Sequence, residues 1–320
     1  MRTTPVKTTL QSAPLSPAFA AFLAQAASQN SPPLESLPPV IVRQIYRDQD
    51  AALNLPAPAI GTVRDQAIEG PGGSSLPLRI YEPASTGPWP VLMFVHGGGF
   101  VMGDLQTHDK ACRSLCHLGN LLVVAVDYRL APEHPFPAAP DDVEAALRWL
   151  TLNAGDLGGD ASRIAVAGDS AGAQLALVAV RRVRSPAVRA LGLIYPVAQP
   201  PNEFSPSYEE NDGKLLSRAG MQWFNACYLG GPSPTSPEHP DVAILKSDLS
   251  TLPATWIATM GHDPLRDEGH ALALRAEAAG VKVCHRHDAS AIHACIHFSA
   301  VSPAGPQLLA DLAQWLNNQL

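Results

Sequence analysis

The stretch "VAGDSAGAQLALVAV" (residues 166–180) sets an apolar strand pattern directly against an apolar helix pattern, with Ser170 at the join and a glycine two residues to either side. A chain that bends sharply from strand to helix strains the residue at the bend and draws its neighbours close. Only glycine fits at those two flanking places. The bend lifts a hydroxyl above the carboxyl edge of the sheet, at the positive end of the following helix. The same residues also make a tight turn of small side chains packed for their own sake, so the rest of the chain must decide between the two readings.

Outward from the bend, "VLMFVHG" (91–97) and "LLVVAVDY" (121–128) are continuous apolar runs, as strands covered on both faces require. "LPLRIYEP" (76–83) alternates like a half-exposed strand, and "RIAVAG" (163–168), "LGLIYPV" (191–197), "ATWIATM" (254–260) and "VKVCHRH" (281–287) complete the set. One intervening helix is expected from Pro140, with Asp141 and Asp142 in its first turn where carboxylates suit the helix dipole, and Val143, Ala146, Leu147 and Leu150 buried, to a stop near Gly155. A second runs from Asp267 to Ala279 with Gly280 as its stop, and a last carries Leu308, Leu309, Leu312, Trp315 and Leu316 on one face. Strands alternating with helices demand an α/β fold with a mostly parallel sheet. Residues 1–60 read instead as two short helices, about 16–28 and 36–52, and 200–235 interrupts the alternation. Those two pieces are expected to form a cap over an α/β unit made of 61–199 and 236–320.

The 320 residues, 46% hydrophobic and 16% charged, suffice for one large core. A net charge of −7 gives no electrostatic footprint for nucleic acid, and the basic "RRVRSPAVR" (181–189) reads as a solvated helix end. Five cysteines without regular spacing suggest neither a disulfide framework nor a metal clip; in "CRSLCH" (112–117), Cys112, Leu115 and Cys116 share one helical face and read as packing. Arg2 and Lys7 precede the apolar "AFAAFLAQAA" (18–27), yet Phe19, Phe22, Leu23 and Ala26 recur at helical spacing rather than as a secretion signal. No run reaches the roughly eighteen apolar residues of a membrane span. A cytoplasmic protein is expected.

A serine hydroxyl needs a base to attack at neutral pH, and the oxyanion it creates needs donors. "VHGGGFVMGD" (95–104) follows a buried strand, and its three glycines allow bare N–H groups to face a cavity. The amides of Gly97, Gly98 and Ala171 are the expected oxyanion hole. The loop lacks both the Lys-Ser/Thr tail of a P-loop and the spacing of a dinucleotide fingerprint, which argues against phosphate. His96 is expected to orient this loop.

With "HGGGF" (96–100), "DYRLAPEHPFPAA" (127–139), "GDSAG" (168–172) and "DLSTLPATWIATMGHDPLRDEG" (248–269) in order, the chain resembles the hormone-sensitive-lipase-like branch of the α/β-hydrolases, the bacterial esterase family. Similarity runs from about residue 62 to the end, interrupted by 200–235. The resemblance implies an α/β-hydrolase sheet under a helical cap, hydrolysis of small-molecule carboxylic esters, and no cofactor or metal. It identifies Ser170 with the nucleophile and Asp263 with the acid; independently, Asp263 follows the carboxyl end of a buried strand, where sites in such sheets gather. Asp267 and Glu268 read as helix N-terminal charges.

The family ends in His-Gly-Phe. In "ASAIHACIHF" (289–298), His293 follows Ile292 and stands 30 residues after Asp263, but Ala294 and Cys295 replace Gly-Phe; His297, followed by Phe298, half-matches. His293, first in the loop after the last strand, is the expected base, with His297 the alternative. His285 and His287 read as sheet residues, Asp169 as a structural hydrogen bonder, and Arg129 and Glu133 as an ion pair. Phe19, Phe22, Leu23, Phe204, Trp223 and Phe224 suit either an apolar pocket over the serine or the seam between cap and core. Short-to-medium acyl esters are the expected substrates, a homodimer through the final edge strand fits the family, and amide or lactone hydrolysis uses the same apparatus. A small-molecule receptor on such a scaffold typically lacks a triad member, whereas all are present here.

Overall fold

The computed structural model describes residues 10, 12–230 and 235–320; Arg2 and Lys7 lie outside the described residues. In chain order the elements are α1 (Pro17–Ser28), α2 (Pro39–Leu53), β1 (Thr62–Glu69), β2 (Ser75–Glu82), β3 (Trp89–Val95), α3 (Asp109–Gly119), β4 (Leu122–Val126), α4 (Ala138–Asn153), β5 (Gly159–Asp169), α5 (Ala171–Val183), β6 (Val188–Ile194), α6 (Pro206–Glu210), α7 (Arg218–Leu229), β7 (Ala254–His262), α8 (Arg266–Ala278), β8 (Val283–Ile292) and α9 (Ala304–Asn317). The strands form one sheet in the order β1-β2-β4-β3-β5-β6-β7-β8. β2 runs antiparallel to both β1 and β4, and the remaining pairs are parallel.

Strand β3 shows why the sheet needs two covers. Val91, Met93 and Val95 join the apolar layer containing α4, α5 and α8, while Leu92 and Phe94 join the one containing α3 and α9. Successive side chains point to opposite faces, so an unbroken apolar run is what a doubly covered strand needs. Cys112, Leu115 and Cys116 pack on one face of α3, and Leu308, Leu309, Leu312 and Leu316 on one face of α9, as their spacing required. Strand β1 announces itself weakly because it is a polar edge: of its eight residues only Ile68 is buried.

The fold corrects the following expectations. Helix α4 begins at Ala138, two residues before Pro140; the proline still falls in the first turn, where no intrahelical N–H bond is lost. Arg129 does not pair with Glu133. Its guanidinium grips Asp142, Nη2 to Oδ1 at 2.7 Å and Nε to Oδ2 at 2.9 Å; with the helix starting earlier, only Asp141 stands in the first turn, and the buried Asp142 carboxylate just beyond it faces the fork. Glu133 pairs instead with Arg43 of α2 at 2.6 Å. The basic helix end is also not merely solvated: Arg181 and Arg182 both close on Asp241, and Arg182 reaches Asp141 at 2.8 Å.

The N-terminal aromatics gather on one ring. Phe19 and Phe22 pack on Phe298 with ring centroids 6.5 and 5.0 Å away. In the 200–235 stretch, Phe204 packs on Tyr208 of α6, and Phe224 of α7 lies against Gly99 so closely that a Cβ there would strike the ring. Among the described residues no helix is long and apolar enough to cross a membrane.

Candidate active site

Ser170 sits between β5 and α5 with φ 54° and ψ −122°, a left-handed conformation uncommon for a side chain larger than glycine. Its N–H donates to Ile194 O at 2.9 Å, and its carbonyl accepts from Ala173 N–H at 3.1 Å. A Cβ on Gly168 would stand 2.5 Å from the carbonyl oxygen of Gly172, and one on Gly172 would collide with the carbonyls of Val95 and His96. The flanking glycines are therefore a steric requirement of the bend.

The imidazole of His293 spans the space between two of the expected partners. Its Nδ1 lies 2.8 Å from Asp263 Oδ2 and its Nε2 lies 3.0 Å from Ser170 Oγ. An ionised carboxylate only accepts, so Nδ1 carries the proton and Nε2 is left to accept from the serine hydroxyl. Asp263 is buried just past the end of β7 and is fixed by the Leu265 N–H on its other oxygen at 2.8 Å. Tyr195 packs against the His293 ring with centroids 4.6 Å apart. Ser170, Asp263 and His293, separated by up to 123 residues, are brought within hydrogen-bond reach.

Gly97 is placed differently from the expectation. Its N–H donates to Asp169 Oδ1 at 2.8 Å, so that donor is turned toward the protein and already spent. Gly98 and Gly99 follow with φ 116° and 60°, and Gly98 O accepts from Met102 N–H at 2.9 Å, curling the loop back on itself. Among the described residues no protein acceptor takes the N–H of Gly98, Gly99 or Ala171. His96 orients the loop as anticipated: its Nδ1 donates to Gly97 O at 2.9 Å and its ring stacks on Tyr128 at 4.1 Å. Burial, with His108 nearby, pushes His96 down to about 4.

Asp169 is a structural hub. Besides Gly97 N–H it faces His108 Nε2 at 3.1 Å, Tyr195 Oη at 3.4 Å and His297 Nε2 at 3.8 Å. Burial raises its carboxyl, but His108 and His297 outweigh this and hold it far below the usual range. His297 makes no bond to Ser170. Its Nδ1 meets Asp50 Oδ1 at 3.1 Å, and its Nε2 meets Tyr46 Oη at 3.1 Å, both on α2. Sequence reasoning missed Asp50, Tyr46 and His108. Asp50 and Tyr46 lie about 250 residues from His297, and no spacing rule links them. The ligand atoms of His108, Asp169 and His297 lie within 4.8 Å of one another, as in a metal site. However, the Gly97 N–H points at both His108 Nε2, 3.2 Å away, and Asp169, so the space holds a donor hydrogen that suits an anion rather than a cation.

Glu268 departs from a simple helix-end charge. It is buried, with Oε1 accepting from Ala198 N–H at 2.8 Å and Oε2 paired with Tyr208 Oη at 3.1 Å. Asp267 does remain in the first turn of α8, paired with Arg266. His285 and His287 are strand residues sharing Thr259 Oγ1 at 2.9 Å each.

A bent serine on a strand-to-helix elbow, above a mostly parallel sheet, defines an α/β-hydrolase. The family described as the alpha/beta hydrolase fold matches residues 92–297, and the chain belongs to it, in the hormone-sensitive-lipase-like branch. It is 39% identical over 260 residues to carboxylesterase NlhH of Mycobacterium tuberculosis, covering 77% of this chain and 79% of that one. It is 32% identical over 283 residues to the ethyl acetate hydrolase of Pseudomonas putida, with 84% and 88% covered. The hyperthermophilic esterase of the archaeon Pyrobaculum calidifontis superposes with a TM-score of 0.88 at 34% identity, covering 96% and 99% of the two chains.

Proposed function

We propose that this carboxylic ester hydrolase cleaves short-to-medium acyl esters by two-step acyl transfer, with Ser170 as nucleophile, His293 as general base and Asp263 as the group that orients the base. Neutral His293 takes the Ser170 proton as Oγ attacks the ester carbonyl, and Asp263 stabilises the imidazolium that forms. The amides of Gly98 and Ala171 receive the oxyanion, with Gly99 in the place first expected for Gly97. Protonated His293 then gives its proton to the leaving alcohol, and water enters by the same route to free the acid.

One observation carries this reading: the unbroken relay from Asp263 through both nitrogens of His293 to the serine oxygen, 2.8 and 3.0 Å long. The test offers p-nitrophenyl esters from acetate to laurate to the wild type, Ser170→Ala and His293→Ala. Both variants should lose on the order of a thousandfold or more in kcat, and wild-type activity should fall on the acid side as His293 takes up a proton. A healthy His293→Ala beside a dead His297→Ala would reverse the base assignment.

Residues 1–60 and 200–235 are read as the cap over 61–199 and 236–320. Phe224 seated on Gly99, Tyr208 on Glu268 and Arg43 on Val101 O support that division. The outer strand β8 offers the edge for a homodimer formed by strand pairing across a two-fold axis. Five free thiols, three of them buried, suit a reducing cytoplasm.

A further inference from the structure

We infer that His297 is a positioning residue for the hydrolysis: held as an imidazolium between Asp50 of α2 and Asp169 beside the nucleophile, it locks the cap to the serine elbow and the glycine loop. The inference rests on the assignment of Ser170 and His293 made above and adds a residue that touches neither substrate nor reacting atoms.

The geometry assigns His297 two partners on one helix and one on the sheet. It sits in a short 3-10 turn (Cys295–His297) that begins two residues after His293, so a shift of its ring moves the same loop that carries the base. Nδ1 faces Asp50 Oδ1 at 3.1 Å; Nε2 faces Tyr46 Oη at 3.1 Å, with Asp169 Oδ2 at 3.8 Å. The remaining neighbour is His108, whose ring lies edge-on at 4.6 Å from the segment before α3. Asp50, Asp169 and His297 are all buried. Two buried carboxylates with no cation between them would repel each other and lose the water that normally stabilises them. A protonated imidazole donates through Nδ1 to Asp50 and through Nε2 to Tyr46 Oη, and places its charge 3.8 Å from Asp169. Burial acts to drive the proton off His297, but the neighbouring Asp169 and Asp50 carboxylates outweigh it and raise the group to about 9.

The consequence for catalysis runs through Asp169. That carboxylate precedes Ser170 and holds the Gly97 N–H at 2.8 Å, at the start of the loop whose next amides face the oxyanion. Loss of the His297 charge leaves Asp169 to reorient toward its other donors and slackens both the elbow and the glycine loop. The His297 ring touches no substrate, so binding is touched less. The signature is therefore a fall in kcat with little change in KM.

The experiment uses the whole protein and three readouts. His297→Gln should lower kcat on p-nitrophenyl butyrate about tenfold or more while KM stays within about a factor of three. Asp50→Asn keeps shape but removes one anion; in it the alkaline fall in kcat, centred near pH 9 in the wild type, should move toward neutral by about one unit. The His297 ring, followed by NMR in the inactive Ser170→Ala protein, should titrate well above the ordinary 6.5. That third readout needs no turnover, so it separates failure of this inference from failure of the triad assignment. Wild-type kcat and pH profile in a folded His297→Gln, an unmoved limb in Asp50→Asn, or a ring titrating near 6.5 would each overturn the proposal. Inhibition of the wild type by zinc alone, relieved in His297→Gln, would overturn it in favour of a metal site.

Discussion

Gly172 carries no reactive group, yet the elbow cannot be built without it. A methyl at this position drives into the Val95 and His96 carbonyls of the neighbouring strand, which are backbone and cannot swing away. Gly172→Ala should destabilise the fold by about 1–3 kcal/mol, with activity falling alongside. Urea denaturation checks it, and an unchanged midpoint would mean the strand end yields. At this scale much of the site was legible: the glycine spacing pointed to the bend, and the order of motifs to Ser170 and Asp263. The expectation of His293 over His297 rested only on its coming first after the strand, and it is the fold that sets its Nε2 3.0 Å from Ser170 Oγ. The spent amide of Gly97 was invisible, since its acceptor, Asp169, lies 72 residues away.

Between elements, the join of α6 to α8 contains a carboxyl group with an unusual proton. Burial pushes Glu268 up to about 8 from its ordinary 4.5, and the N–H of Ala198 and the Tyr208 hydroxyl pull it back only in part. A group that binds its proton more tightly when folded stabilises most below its unfolded pKa and loses that contribution as pH rises through the folded one. The contribution of Glu268 to stability should therefore decline from about pH 5 toward pH 8, while that of His96, driven down to about 4, rises with pH up to about 6.5. The neutral isostere Glu268→Gln should flatten this decline; a slope unaltered in scanning calorimetry below about pH 6.5, where His297 does not yet titrate, would refute it. The elements themselves were read well wherever a face is apolar. The polar β1 edge escaped, and Asp142, judged by the helix dipole as a first-turn carboxylate, lies just beyond that turn and answers to the Arg129 fork.

Across the whole molecule, Arg43 joins α2 to the loops that follow β3 and β4. From α2 it donates to Val101 O at 2.7 Å and Ala131 O at 3.0 Å, and pairs with Glu133 at 2.6 Å. Arg43→Ala leaves two backbone acceptors short of a donor and should cost about 1–3 kcal/mol while raising KM through a looser cap. Thermal melting and an ester saturation curve measure both, and an unchanged KM would detach this arginine from substrate binding. Read alone, the amino-acid sequence fixes the α/β class, the mostly parallel sheet and the glycine-flanked bend at Ser170, because apolar periodicity and glycine sterics act between residues close in the chain. Folding in three dimensions is what sets the His293 ring 3.0 Å from Ser170 Oγ, turns the Gly97 N–H to Asp169, and brings Asp50 and Tyr46 to His297. Those contacts join segments far apart in the chain, and their partners are selected by packing and by the cost of leaving a buried charge alone.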